Sequence, residues 1–406
     1  MICFPVAPSY RARPGESGLL DMKLKVVAPL AMMSCVAAVL AFISVLAYDD
    51  AAETVDWAKR KQLTSISTMI EVFLREQGLQ TTAAAELLAS LPQVGELVGK
   101  NDRDGVIKML MPGYRKQVTK YGVDSLGIVA PPALTVARMH DPAKFGDDQS
   151  ATRPILVFTN QTREVQSGLE ISSVAAIRGV SPIYNGAVHV GALEVATGLG
   201  ATLAELKTVL GAELTVMFKD AVVPARSEVR KNEARKIRDF IAAEATDWTY
   251  LAKALRETDV DRVNETGYDT RTVDGIEVGV VKVPLFDFAG KNVGVVIAVK
   301  EISEFGRALK DALVRLAVAG AIGLLITAGM SLLVISGMVL RPMERLGKRL
   351  KGLAGGDFST KVDAVARRDE IGDLAVSVDS VRVDLLRRFP PGSAPVVDGK
   401  GAGGGR

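Results

Sequence analysis

Two uninterrupted apolar runs constrain this 406-residue chain more than any other feature of it. The first, "VVAPLAMMSCVAAVLAFISVLA" at 26–47, is 22 residues long and the second, "LAVAGAIGLLITAGMSLLVISGMVL" at 316–340, is 25; neither holds a charge. A helix rises about 1.5 Å per residue, so each run can cross the ~30 Å hydrocarbon core of a bilayer. Buried core helices of that length rarely lack a charge, and the pattern predicts transmembrane helices over 23–48 and 312–340. Arg11, Arg13, Lys23 and Lys25 precede the first run, and Arg341, Arg345, Lys348, Arg349 and Lys351 follow the second. The positive-inside rule then puts both ends of the chain in the cytoplasm, with 1–22 as a cytoplasmic segment and a natural start at Met22 as an alternative. A cleaved signal peptide ending at Ala47 is the competing account of the first run, but the run is long for one.

Composition removes several classes of function. The formal charge of +3, from 50 basic and 47 acidic residues, lacks the basic bias of a nucleic-acid binder, so no nucleic-acid partner is expected. Cys3 and Cys35 both lie outside the long central region, which excludes a disulfide framework or a cysteine metal site there. With His140 and His189 the only histidines, no metal and no cofactor are expected. No Ser-His-Asp, Cys-His or paired-carboxylate arrangement stands out, and the chain is not expected to be an enzyme.

The segment between the runs, 48–315, is long enough for two domains and is then extracytoplasmic. Trp57, Leu63, Ile66, Met69, Ile70 and Phe73 recur at three- to four-residue spacing, which predicts an amphipathic helix continuing outward from the first span, packed on its own domain or paired as a dimer stalk. After "KYGVDSLGIVAPP" the chain changes to short β-rich runs broken by Gly, Pro, Asn and Asp. "IRGVSPIYNGAVHVGALEVATGL" (177–199) is a hairpin with its turn at "NG". "VGVVKVPLFDFAGKNVGVVIAVKEI" (278–302) repeats it: Pro182, Ile183 and Tyr184 match Pro284, Leu285 and Phe286, and Gly191 matches Gly294 with one extra turn residue. Two copies of one module are therefore expected, over 49–205 with the long helix and over 206–311.

A long helix, two successive α/β modules ending in such hairpins and a second span resemble the double Cache (PAS-like) sensory region of bacterial chemoreceptors and sensor kinases. The pairing of "ARMHDPAKFGDDQ" (137–149) with the hairpin of 177–199 is similar to carboxylate-sensing Cache domains. The resemblance implies a ligand site in the first module, with Arg138, His140 and Arg178 in the binding roles and Tyr184 lining the pocket. Physically, a guanidinium fork matches a carboxylate bidentately, and two arginines with a histidine suit a small dianion. Arg178 corresponds to Val280 in the second copy, so the hairpin itself does not require arginine. The bland alternative is local pairing of the arginines with Glu170, Asp141, Asp147 or Asp148.

Beyond the second run, Met343, Leu346, Leu350 and Leu353 step 3, 4, 3, and Ile371, Leu374, Val378, Val381 and Leu385 step 3, 4, 3, 4. Two short heptad helices joined by a polar connector are expected, too short to be stable alone. With Pro342 after the span, hydrophobics at Val362 and Val365 and "DEIG" at 369–372, this resembles a HAMP domain over 341–388, a parallel four-helix coiled coil formed by a dimer. "GGDF" at 355–358 is one letter short of the "GGDEF" signature of cyclic-dinucleotide synthases, but between heptad helices it serves as a helix stop. The tail 389–406, rich in Gly and Pro, is expected to be disordered.

Together these features predict an α+β membrane protein of the methyl-accepting chemotaxis type: a receptor in the bacterial cytoplasmic (inner) membrane with its sensory region in the periplasm. No phosphotransfer histidine, chemoreceptor hairpin or cyclase site follows the HAMP pattern, so the output module is expected to be missing, either because the reading frame is truncated or because the chain acts by pairing with a complete receptor. The partners expected are a small carboxylate, membrane lipid, and a second copy or a full-length receptor in a mixed dimer. The alternatives are the sensory half of a histidine kinase and a structural, dimerising membrane protein.

Overall fold

The computed structural model describes residues 24–388 except Arg262. The expectations for 1–22, for a start at Met22 and for a disordered tail at 389–406 lie outside these residues. The described residues divide into two compact units, 52–309 and a second comprising 24–51 with 310–388.

The first unit is built on the outer part of helix α1 (Leu24–Ala89), a single 66-residue helix. Leu63, Ile66 and Ile70 are buried along it while Trp57 and Met69 are exposed, so the expected amphipathic stripe exists but splits between two faces. Helices α2 (Pro92–Gly99) and α3 (Arg103–Tyr121) follow, then strands β1 (Val123–Ala130) and β2 (Leu134–Arg138), helix α4 (Pro154–Thr162), and strands β3 (Gln166–Ile171), β4 (Ala175–Asn185) and β5 (Val188–Gly198). They form an antiparallel sheet in the order β2-β1-β5-β4-β3. Helix α5 (Leu199–Leu210) leads into β6 (Glu213–Lys219), β7 (Lys236–Ile237), β8 (Phe240–Ala245), helix α6 (Trp248–Ala254), β9 (Gly267–Val273), β10 (Ile276–Phe286) and β11 (Asn292–Glu301). The second sheet runs β7-β8-β6-β11-β10-β9.

Apart from the short β7, the second order repeats the first strand for strand, which bears out the repeat read from the hairpins. Register agrees to the residue, with Ile183 opposite Gly191 and Leu285 opposite Gly294. Gly186, at φ +62°, is the first central residue of the β4–β5 turn, where a two-residue II′ turn needs glycine. The expected boundary at 205/206 falls inside α5, whose Leu199, Leu203, Leu206 and Leu210 pack with Leu214, Val216 and Phe218 of β6. The helix therefore belongs to the second module, because its apolar face is part of that module's core.

Alternation along the strands gives the first sheet two unlike faces. Leu126, Ile128, Ile183, Leu193 and Val195 point into a core with α2, α3 and the end of α1. Gly127, Arg138 and Glu194 lie in register on the opposite face, with Arg178 on the same face opposite Ala196, two residues along β5 from Glu194. Where α1 crosses β4, a Cβ on Gly179 would lie 2.3–2.4 Å from the Thr81 and Thr82 backbone, so only glycine permits that approach. At Gly279 a Cβ would meet the side-chain methyl of Leu63 on α1, at 2.3 Å, rather than backbone.

The second unit contains α7 (Ser303–Val334), whose first residues lie in the sensory unit, a π-helical turn (Ile335–Leu340), α8 (Arg341–Ala354) and α9 (Glu370–Arg388). α1 and α7–α8 are long and apolar enough to cross a membrane, and their apolar windows are 0% and 6% buried within the protein. A soluble core helix would bury such a window, so exposure on all sides favours lipid as its surroundings.

The expected helix stop is present. α8 ends at Gly355, and Gly356 follows at φ +92°. Asp369 caps α9, accepting the Gly372 N–H at 3.0 Å. Of the connector hydrophobics Val362 is buried and Val365 is exposed.

Candidate ligand-binding cleft and relay

Between the polar face of the first sheet and the loop 139–153 lies a cleft of about 720 Å³. The loop returns along β2: the Thr135 N–H donates to the Asp147 carbonyl at 3.0 Å, Gly146 N–H to Thr135 at 2.9 Å and Gln149 N–H to Ala133 at 3.0 Å. Arg103 anchors its crown, donating to the Pro142 carbonyl and lying 4.1 Å over the Phe145 ring. "ARMHDPAKFGDDQ" is thus the wall of the cleft.

Arg138, His140 and Arg178, the residues expected in the binding roles, all line it. Tyr184 does not: it sits at the hairpin tip, exposed, edge-on to His189 at 5.7 Å. Its expected pocket role is therefore not met, because the cleft is lined by residues nearer the middle of the sheet and by the loop 139–153. His189 is half-buried.

Neither arginine presents a free fork. Arg138 grips Asp147 bidentately, at 2.7 Å through each terminal nitrogen, and that hydrogen bond holds the Asp147 carboxyl down at about 2. Arg178 is buried in a four-charge cluster with Arg153, Glu170 and Glu194, all four at most 8% exposed. Its Nη1 donates to Glu194 at 2.5 Å, and Nη2 to the Ser172 hydroxyl at 3.1 Å and the Val174 carbonyl at 3.0 Å. Its Nε lies 3.3 Å from Glu170. Arg153 Nε donates to the other side of the pair, Glu170, at 2.5 Å, and its Nη2 to Glu194. Glu170 also accepts the Ile155 N–H at 3.1 Å, in the first turn of α4. The Glu170 and Asp147 named as bland partners in the sequence are therefore real ones.

Burial opposes charge on Arg153, Arg178 and Glu194, and the outcome differs with the charges around each. Burial pushes Glu194 up, but the guanidiniums of Arg153 and Arg178 outweigh it and hold the carboxyl at about 2. Arg153 is likewise opposed by burial and held above its ordinary range by Glu194 and Glu170. Arg178 is lowered by burial and by the adjacent Arg153. His140 is lowered, chiefly by burial, with Arg138 adding to the effect against the Leu126 carbonyl, so it is neutral at pH 7.

Both arginines expected in the binding roles are therefore paired with acids. The lining sets Arg138, Lys144, Arg153 and Arg178 against Asp124, Asp141, Asp147 and Glu194, four charges of each sign. Sequence reasoning missed Arg153 and Glu194. Glu194 is the only charge in β5, in a run buried on both faces, which is itself a signal that a buried partner exists.

In the second unit, the heptad positions divide by a spacing of seven. Leu346, Leu353 and Val378 are buried against Val362 and Ala375, with Ile371 packed beside them. Met343, Leu350, Leu374 and Val381 are 42–52% exposed.

A double sensory fold joined through a membrane helix to a heptad helix pair defines a transmembrane sensor that relays its signal through the second unit. Residues 58–305, more than half of the chain, match the dCache_3 family, the double sensory domain of two-component sensor kinases, and 334–387 match the HAMP domain. The chain belongs to the dCache_3 family. The ligand-binding domain of the Campylobacter jejuni chemoreceptor Tlp3, in complex with 4-methylisoleucine, is similar over 63% of this chain and 94% of its own, at 11% identity and TM-score 0.40. The extracellular domain of the putative histidine kinase vpHK1S-Z8 is similar over 64% and 96%, at 12% identity and TM-score 0.39. The ligand-binding domain of Mlp24 with asparagine is similar over 65% and 98%, at 16% identity and TM-score 0.34. No curated protein sequence matches significantly.

Proposed function

We propose that this receptor binds a small carboxylate bearing a balancing cation, such as an amino acid, in the cleft of the first module. The observation that carries the proposal is the cleft's charge balance: a lining with four charges of each sign accommodates a net-neutral occupant at lower electrostatic cost than a dianion. Arg138 is the group placed to meet the carboxylate, since its partner Asp147 is half exposed and able to turn to the ligand's cation. His140 serves as a neutral hydrogen-bonding group beside it. Arg178 acts from beneath, holding the cleft floor, and Tyr184 keeps no direct role. The protein acts as a receptor rather than an enzyme, with no cofactor.

On this reading the sensory unit lies in the periplasm, both ends of the chain lie on the cytoplasmic side of the inner membrane, and the two spans between them are in contact with lipid. The exposed Met343, Leu350, Leu374 and Val381 each stand seven residues from a counterpart on their own helix, the spacing that a parallel four-helix bundle of two chains buries. Exposed Met69, Val72 and Leu79 on α1 offer a matching stripe in the outer unit. The partner is a second copy or, in a mixed dimer, a full-length receptor.

Calorimetric titration of purified 48–315 with amino acids and organic acids tests the ligand assignment. Binding of a zwitterion that is lost in Arg138→Ala is expected. Binding that survives in an Arg138→Ala/His140→Ala double variant would refute the site.

A further inference from the structure

Pro342 stands in the first turn of α8 and brings no N–H to the Met338 carbonyl four residues back. The backbone before it winds as a π turn, with Arg341 N–H donating to Ser336. Into this break reaches a side chain from the connector: Arg367 Nη2 donates to the Met338 carbonyl at 3.1 Å. The same guanidinium holds Asp369, with Nε 3.1 Å from both carboxylate oxygens and Nη2 2.5 Å from one of them. Asp369 in turn caps α9 through the Gly372 N–H at 3.0 Å.

The backbone around Arg367 is equally constrained. Its N–H donates to Ala364, a non-glycine residue at φ +72°, and a Cβ on Gly372 would lie 2.2 Å from the Arg367 carbonyl. The glycine of "DEIG" thus lets the first turn of α9 rest on Arg367, while the aspartate binds its side chain. The hydrogen bond from Arg367 draws Asp369 down to about 2, so the pair is charged at any physiological pH.

We propose that Arg367 is a positioning residue of the relay, tying the carbonyl at the end of the second span to the N-cap of α9. A displacement of the span then reaches α9 through one planar guanidinium, in parallel with the longer route through α8 and the connector. A fork donor can serve a carbonyl and a carboxylate together, which a point charge such as an ammonium does less well. The proposal rests on the HAMP unit being a relay and not on any ligand, so its test needs none.

The test uses the full chain in lipid nanodiscs, with amide hydrogen exchange over 369–375 as the readout. Arg367→Ala is expected to speed exchange there severalfold. Pro342→Ala, which returns an N–H to Met338, is expected to alter exchange over 369–375 when Arg367 is present and to leave it unchanged in the Arg367→Ala background. Arg367→Lys keeps a cation beside Asp369, and is expected to retain protection within about twofold while losing the response to Pro342→Ala. Equal effects of Pro342→Ala with and without Arg367, or a lysine variant that responds as the parent does, would overturn the proposal.

Discussion

Glu194→Gln is the substitution that most sharply tests the buried charge cluster. Glu194 accepts from both Arg153 and Arg178, so an amide there leaves two buried guanidiniums sharing Glu170 alone. Removing one partner from a buried ion pair costs about 3–5 kcal/mol. Linkage gives a similar figure: a carboxyl held at about 2 against an ordinary 4.5 stabilises the fold by about 3 kcal/mol, at 1.36 kcal/mol per unit. Because the folded value is the lower one, this stability is fully present above pH 4.5 and is lost as pH falls through 2. Thermal and urea unfolding of 48–315 at pH 7 should therefore show the variant about 3–5 kcal/mol less stable, a drop of roughly 6–20 °C at about 2–4 °C per kcal/mol. The gap should close as both proteins are titrated from pH 4.5 toward 2. A difference below 1 kcal/mol at pH 7, or one independent of pH over that window, would refute the cluster as a stabilising element.

Three further outcomes follow from the geometry. Gly179→Ala places a methyl against the α1 backbone and should destabilise the sensory unit by about 1–3 kcal/mol in the same unfolding assay. Arg138→Ala should cost less than about 1 kcal/mol, since its partner Asp147 is half exposed, yet abolish ligand binding measured by calorimetry. On the proposed four-helix packing, the detergent-solubilised chain should sediment as a dimer and the Leu350→Asn/Val381→Asn variant as a monomer, with the unfolding of the sensory unit unchanged.

The modular plan was legible because it depends on spacing. The apolar runs, the heptad steps and the hairpin glycines opposite Ile183 and Leu285 are all local patterns, and each fixes its element without knowledge of the rest. Contacts across long separations were not legible in that way. Arg153 and Glu194 are 41 residues apart and meet only because β5 and the start of α4 are brought to one face of a sheet. Sequence alone offered the arginines as ligand groups and acids as their rivals, and could not choose between them; the fold pairs Arg178 with Glu170 and Glu194, and Arg138 with Asp147. Tyr184 failed as a pocket residue for a related reason, because hairpin register says which residues are opposite but not which tip points to a cleft. Arg367, a charge in a polar connector, carried no sequence signal until the Met338 carbonyl was found beside it.

The central claim is that occupancy of the first-module cleft changes the packing of the HAMP unit. Its most direct test is disulfide formation between copies of the full chain in nanodiscs, with Cys3 and Cys35 replaced by serine and a single cysteine at position 350. With the small zwitterion that binds 48–315 at saturation, the cross-linking rate is predicted to change severalfold, and Arg138→Ala should remove that change. An unaltered rate at saturating ligand, with binding to the sensory unit confirmed in the same preparation, would contradict the account.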